Sequence, residues 1–109
     1  MSTPTMSGLS AAVTVLASLM ARFPDLPAVD VRVSTVFPER LELSAHDDLA
    51  VFETWREALG IDAGTVVHGV QSGGATRVLE AHAVFTGARL RLVGYSEIPA
   101  PVAGVGVAS

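Results

Sequence analysis

The sequence predicts an α+β fold in which two helices pack on one face of a five-stranded, mainly antiparallel sheet. Apolar residues recur with helical spacing in two segments and alternate with polar residues in the strand segments. Glycine-containing turns join the last three strand segments into a meander. The predicted order is helix, two strands, helix, three strands, in a single domain that spans residues 1–97.

The first helix is predicted from one apolar stripe near the N-terminus. Its members are three or four positions apart and are Leu9, Val13, Leu16, Met20 and Phe23. Ser7 is the predicted N-cap, because a serine hydroxyl accepts a hydrogen bond from a free N–H group of the first turn. Pro24 is expected to end the helix.

A pair of antiparallel strands follows, separated by the segment Phe37-Pro38-Glu39. Valines alternate with polar residues in the first strand, and leucines alternate with charged residues in the second. Placing Thr35 opposite Leu41 gives both strands one apolar face. The other face then carries Asp30, Arg32, Arg40 and Glu42.

The second helix is predicted from a stripe formed by Leu49, Phe52, Trp55 and Leu59. Ser44 is its predicted cap, with Asp47 three residues later in a variant of the capping box. Gly60 is the expected C′ residue, and Ile61 the apolar residue that follows it. Two placements stay open, against an antiparallel sheet or as a crossover between strands of a mixed sheet.

The last three strands are predicted near residues 65–71, 76–85 and 88–95. Closing the two turns symmetrically places Val70 opposite Arg77 and Phe85 opposite Ala88. Both turns then assign the same inner face, which carries Val66, His68, Val70, Leu79, Ala81, Ala83, Phe85, Leu90 and Leu92. The outer face carries Thr65, Val67, Gln71, Thr76, Val78, Glu80, His82, Val84, Arg89 and Arg91.

The C-terminal segment is predicted to lie outside the folded domain. Residues 98–109 are rich in Pro, Gly, Ala and Val without a charged side chain, which indicates a loosely held tail. The alternative is an ordered terminus in which Val102, Val105 and Val107 pack onto a partner.

The apolar stretch 6–20 is interpreted as a core helix, because no positive residue precedes it and about 20 residues are needed to cross a bilayer. We therefore expect no membrane association and a cytoplasmic location.

The composition excludes several kinds of chemistry. The chain contains no cysteine, which rules out disulfides, thiolate catalysis and zinc–thiolate sites. All seven basic residues are arginines, so Schiff-base lysines and P-loops are excluded as well. The absence of lysine and asparagine indicates a GC-rich bacterial or phage genome.

The candidate binding residues lie on the predicted outer face and are Glu80, His82, Val84, Arg89 and Arg91. In the predicted register His82 faces Arg91, with Glu80 two positions along its strand. Mixed charged and apolar side chains are typical of a weak protein-binding surface, although solvated sheet faces show similar charge pairs. With no catalytic motif present, we expect a non-enzymatic interaction or accessory module that binds a protein partner or itself through this face.

The alternative is a small-molecule binder or minor enzyme with a pocket between helices and sheet. Trp55, His68 and Tyr95 are its candidate lining residues. We expect no cofactor and no metal. His46-Asp47-Asp48 is interpreted as the start of a helix, because no second cluster of ligand-type residues completes a metal site.

Nucleic-acid binding is disfavoured. Four arginines share the predicted outer faces, namely Arg32, Arg40, Arg89 and Arg91. That face lacks aromatic side chains for stacking bases, and the net charge of −4 is opposite to the usual basic footprint.

Overall fold

The computed structural model describes residues 3–71 and 73–98 and contains two helices and a five-stranded sheet. Helix α1 spans Ser10–Arg22 and α2 spans Leu49–Ala58, and short 3-10 helices span Met6–Leu9 and Ala63–Thr65. The strands are β1 Asp30–Val33, β2 Arg40–His46, β3 Val67–Gln71, β4 Thr76–Phe85 and β5 Ala88–Glu97. The predicted α+β class and element order are confirmed.

The strands lie in the order β1-β2-β5-β4-β3. Neighbouring strands are antiparallel except β2 and β5, which run parallel. It follows that β2 and β3 run in the same direction, with β5 and β4 between them. Helix α2 lies in the connection between β2 and β3, so the structure adopts the crossover in a mixed sheet that the sequence left open.

The predicted register of the meander is confirmed, since Val70 pairs with Arg77 and Phe85 pairs with Ala88. The predicted register of the first two strands is wrong by two positions, because Leu41 pairs with Val33. The loop between β1 and β2 is longer than the prediction allowed. A shift of two positions keeps every side chain on its predicted face.

Helix α1 packs on the sheet through a different stripe from the predicted one. Val13 and Met20 are exposed, while the helix buries Ala12, Val15 and Leu19. Apolar residues surround much of this helix, so their spacing alone selects no single face. The small side chain of Ala12, which is fully buried, lets the helix approach the sheet closely.

The start of α2 also differs from the prediction. Asp48 is its N-cap, and its carboxylate accepts a hydrogen bond from the Ala50 N–H at 2.9 Å. Ser44 does not cap the helix, because β2 continues to His46 through its pairing with β5. Asp47 then turns the chain with a positive φ of 61°.

The predicted N-cap of α1 is wrong, whereas the predicted ending of α2 is confirmed. Ser7 lies within the 3-10 turn that precedes α1, so it is not the N-cap of that helix. Gly60 has a positive φ of 71° after α2, as predicted for a C′ residue. The Ile61 N–H donates to the Arg56 carbonyl at 3.1 Å, which completes the helix ending.

The core lies between the two helices and the inner faces of β2, β5 and β4. Trp55 is buried and donates its indole N–H to the Pro27 carbonyl at 2.8 Å. Gly94 faces Phe52 so closely that a Cβ at this position would lie 3.0 Å from the Phe52 Cβ. Any larger residue at position 94 would require Phe52 to shift where α2 crosses β5.

The last strand, β5, ends at Glu97. The next residue, Ile98, still donates its N–H to the Ala75 carbonyl at 2.8 Å. The rest of the predicted tail, with the valines of the alternative interpretation, lies outside the described residues. Within the described part of the chain, neither helix has the length and apolar character needed to cross a membrane.

Candidate functional site

The candidate site lies on the outer face, the side of the sheet that points away from the helices. Paired strands align their side chains in rows across this face. The parallel pairing of β2 with β5 places Arg40 beside Arg89 and Glu42 beside Arg91. The antiparallel pairing of β5 with β4 extends these rows to Val84 and His82, respectively.

Four charged or titratable side chains form an ion-pair network in the middle of the outer face. Arg91 donates from Nη1 to Glu42 Oε1 at 3.0 Å and from Nη2 to Glu80 Oε1 at 2.9 Å. His82 Nε2 lies 2.7 Å from Glu80 Oε2. We call Glu42, Glu80, His82 and Arg91 the central network.

The central network is partly shielded from water. The Glu42 and Arg91 side chains are 14% and 21% exposed, respectively. The hydrogen bond from Arg91, with a smaller contribution from His82, holds the pKa of Glu80 below its usual value, although burial acts in the opposite direction. The carboxylate of Glu80, followed by that of Glu42, raises the pKa of Arg91. Glu80 and Arg91 therefore both carry their charges at neutral pH.

Val93 lies on the outer face and yet is completely buried. It follows Arg91 by two positions on β5, and its register partners are Ser44 and Glu80. It does not belong to the apolar core beneath the helices. Neighbouring side chains on the outer face therefore cover Val93.

The row next to the central network is positive, with Val84 and Arg89 exposed and Arg40 partly exposed. Arg40 and Arg89 are direct partners across β2 and β5, and Arg89 in turn pairs with Val84, which is 82% exposed. Arg40 stacks over the Phe37 ring at 4.1 Å and lies 3.9 Å from the Glu42 carboxylate. Within residues 3–71 and 73–98, no side-chain hydrogen bond or salt bridge involves Arg89. We call Arg40, Val84 and Arg89 the exposed row.

A shallow concavity of about 230 Å³ adjoins the exposed row at the loop between β1 and β2. Val36 and Phe37 are exposed in this loop. The lining residues are Arg32, Ser34, Val36, Phe37, Arg40 and Glu42. Exposed apolar and aromatic side chains beside guanidinium groups match the composition of protein-binding surfaces.

The structure divides the predicted binding residues into two groups on one face. Glu80, His82 and Arg91 belong to the central network, whereas Val84 and Arg89 belong to the exposed row. Sequence reasoning placed Glu42 on a charged strand face but missed its bond to Arg91. No local signal specified that β2 and β5 are neighbours.

The three residues of the alternative pocket do not come together. Trp55 is in the core, and His68 is exposed on the edge strand β3. Tyr95 lies on the outer face, because the preceding Gly94 faces the helices and side chains alternate along a strand. The Tyr95 ring stacks on His46 with the ring centroids 5.1 Å apart.

Trp55 instead lines an apolar groove at the end of α1 beside β1. This groove has a volume of about 350 Å³. Its apolar side chains include Leu16, Met20, Phe23, Leu26, Val31 and Trp55. It is the one part of the predicted helix–sheet pocket that the described residues retain.

The residues of His46-Asp47-Asp48 make separate contacts in the structure. His46 Nε2 lies 3.2 Å from the Asp30 carboxylate, while Asp48 caps α2. A group of three or more side chains able to hold a metal ion is absent from the described parts of the chain.

Comparison with known proteins gives no family assignment. No family model matches the sequence, and no curated protein is significantly similar to it. The comparisons therefore assign no function to the outer face.

Proposed function

We propose that the domain is a non-enzymatic interaction module that binds a protein partner, or a second copy, through the exposed row of the outer face. The observation that supports this most is the direct pairing of Arg40 with Arg89 beside Val84. Like charges at opposed positions of a sheet destabilise it. Carboxylates of a partner relieve that repulsion and gain electrostatic complementarity.

Val84 adds an apolar contact to this surface. Removing a valine side chain from water contributes about 1.5 kcal/mol or more when it becomes fully buried. Phe37 and Val36 extend the apolar area on the other side of Arg40. The expected partner surface is therefore acidic with an apolar centre.

The central network serves as the support of this surface. Arg91 is already bonded to Glu42 and Glu80, so its guanidinium is not free to bind a partner's carboxylate. Fixed side chains lose less conformational entropy when a partner binds than mobile ones do. An all-arginine basic composition agrees with an accessory protein of a GC-rich bacterium or phage.

The test compares the wild type with the double variant Val84→Glu/Arg89→Glu. The matched control is Val13→Glu/Arg22→Glu, which makes the same substitutions on exposed positions of α1. Partners are captured from an extract of the native host and quantified, and self-association is followed by light scattering. Thermal melting shows that each variant is folded.

We expect the wild type and the α1 control to bind the same partner or to self-associate. The outer-face variant should bind at least tenfold more weakly, which corresponds to about 1.4 kcal/mol. Equal capture of the partner by the two double variants, together with unchanged self-association of the outer-face variant, overturns the proposal. A wild type that stays monomeric and captures nothing above the extract background also overturns it.

A second candidate function is small-molecule binding in the apolar groove beside Trp55. Its volume of about 350 Å³ supports this candidate, because ligand pockets begin near that size. Trp55 is the sole tryptophan, so its fluorescence reports on the groove directly. An apolar ligand should change this emission in the wild type but not in Met20→Arg, and a screen without any such change contradicts the candidate.

A further inference from the structure

The two edge strands of the sheet differ in how well they are protected against pairing with another chain. The edge strand β1 carries the charged residues Asp30 and Arg32. The opposite edge strand, β3, has the sequence Val-His-Gly-Val-Gln, with no proline and no permanently charged residue. Charged side chains and prolines are the usual means by which edge strands avoid pairing with other chains. β3 lacks both.

β3 is also exposed on both of its faces. Val67 points to the outer face and is 61% exposed, while Val70 points to the inner face and is 60% exposed. The helices pack mainly on β2 and β5, so they leave the inner face of β3 open. A strand that docks on this edge therefore gains hydrogen bonds to the backbone and covers apolar side chains on both sides.

We propose that a second copy of the chain pairs with this edge, β3 against β3, antiparallel about a two-fold axis at Gly69. This register pairs all five residues of the strand, with Gly69 opposite Gly69, His68 opposite Val70 and Val67 opposite Gln71. Opposed residues of an antiparallel pair share a face. Inner faces and outer faces therefore continue across the junction.

The charges near the edge fit a second copy. On β4, Arg77 lies behind Val70 and Glu80 lies behind Val67. In the proposed register, the row of side chains that contains Arg77 and Val70 continues to His68 and Leu79 of the partner subunit. Likewise, the row that contains Glu80 and Val67 continues to Gln71 and Thr76 of the partner subunit. No pair of like permanent charges meets across the junction.

The pairing is self-limiting. A two-fold contact uses the same edge of both copies, so it closes at a dimer. The result is one continuous sheet of ten strands, five from each copy, with the charged β1 edges at its two ends. The exposed rows of both copies then lie on the same side of this sheet. The dimer does not depend on the proposed function, because the exposed row lies on β2, β4 and β5.

Introduced cysteines test the register, since the chain has no cysteine of its own. At Gly69 a new Cβ meets no atom within 4 Å, so Gly69→Cys should not disturb the fold. In the proposed dimer the two introduced thiols face each other at a Cα separation of about 5 Å, which suits a disulfide. The control is Val67→Cys, whose two copies lie four positions apart along the strands, about 13 Å.

We expect native mass spectrometry to give twice the monomer mass of 11.3 kDa for the wild type. Under mild oxidation Gly69→Cys should form a covalent dimer, and Val67→Cys should form at least tenfold less. The edge variant Val67→Lys/Val70→Lys should be a folded monomer, whereas Val84→Glu/Arg89→Glu should remain dimeric. A monomeric wild type, equal crosslinking of the two cysteine variants, or an edge variant that dimerises like the wild type overturns the proposal. Loss of the dimer only in the exposed-row variant would place self-association on the outer face instead.

Discussion

Arg91 and Glu42 are separated by 49 positions in the chain, yet the Arg91 Nη1 and the Glu42 Oε1 lie 3.0 Å apart. The contact exists because β2 and β5 run parallel and side by side. The same guanidinium also reaches Glu80 on β4. One side chain thus ties together the three central strands of the sheet on the face that we propose for partner binding.

Arg91→Ala should destabilise the domain by about 1–3 kcal/mol, because it leaves two partly buried carboxylates without their cation. Urea unfolding followed by circular dichroism measures this loss. Arg89→Ala is the control on the same strand, and as an exposed position it should cost about 0.5 kcal/mol or less. Equal losses for the two variants would contradict a special role of Arg91.

The contribution of Glu80 to stability should depend on pH in a defined direction. Its pKa is lowered in the folded state, mainly by the hydrogen bond from Arg91. Such a group stabilises the fold fully above its unfolded pKa, near 4.5, and loses this contribution as the pH falls through its folded pKa.

The difference in unfolding free energy between the wild type and Glu80→Gln should therefore be constant at neutral pH and shrink below about pH 4.5. Urea unfolding at a series of pH values measures it. In an Arg91→Ala background the same substitution should show a much smaller pH-dependent difference. If the difference does not change with pH in the wild-type background, the proposed contact between Arg91 and Glu80 is contradicted.

Gly94→Ala should destabilise the domain by about 1–3 kcal/mol, because the added methyl group overlaps Phe52 at the crossing of α2 and β5. Gly69→Ala is the matched control within the same sheet, since a Cβ there meets no atom within 4 Å. Thermal melting of both variants tests the close approach. Similar melting temperatures for the two would show that α2 lies farther from β5.

Asp48→Ala should cost about 1 kcal/mol, because it removes the acceptor that caps the first turn of α2. Ser44→Ala should cost much less, since Ser44 lies within β2 and makes no capping bond to α2. Chemical unfolding of the two variants distinguishes the observed cap from the one that the sequence predicts. The reverse order of effects would mean that α2 begins earlier.

Local chemistry made the meander predictable. Gly73, Gly74 and Gly87 all have positive φ values in the two turns, as hairpin turns require, and turn closure fixes the register of the adjoining strands. Gly60 marked the end of α2 for the same conformational reason. The two predicted strand faces followed from these turns, and with them the outer-face position of Glu80.

Features that depend on distant parts of the chain were not predictable in the same way. No turn joins β2 directly to β5, so no local sequence signal indicates their parallel pairing. The bond from Arg91 to Glu42 was therefore missed. The same pairing extends β2 past Ser44, which explains the wrong helix cap. The buried face of α1 depends on how closely Ala12 approaches the sheet, and the helix sequence alone does not contain that information.

Whether the exposed row forms the binding surface is tested most directly by the dissociation constant for a captured partner, or by the constant for self-association in the Val67→Lys/Val70→Lys background, in which the β3 edge is blocked. This constant is measured for the wild type, for Val84→Glu/Arg89→Glu and for the control on α1. The exposed-row variant should bind at least tenfold more weakly, and the control should have an unchanged constant. Equal constants for all three proteins would contradict it.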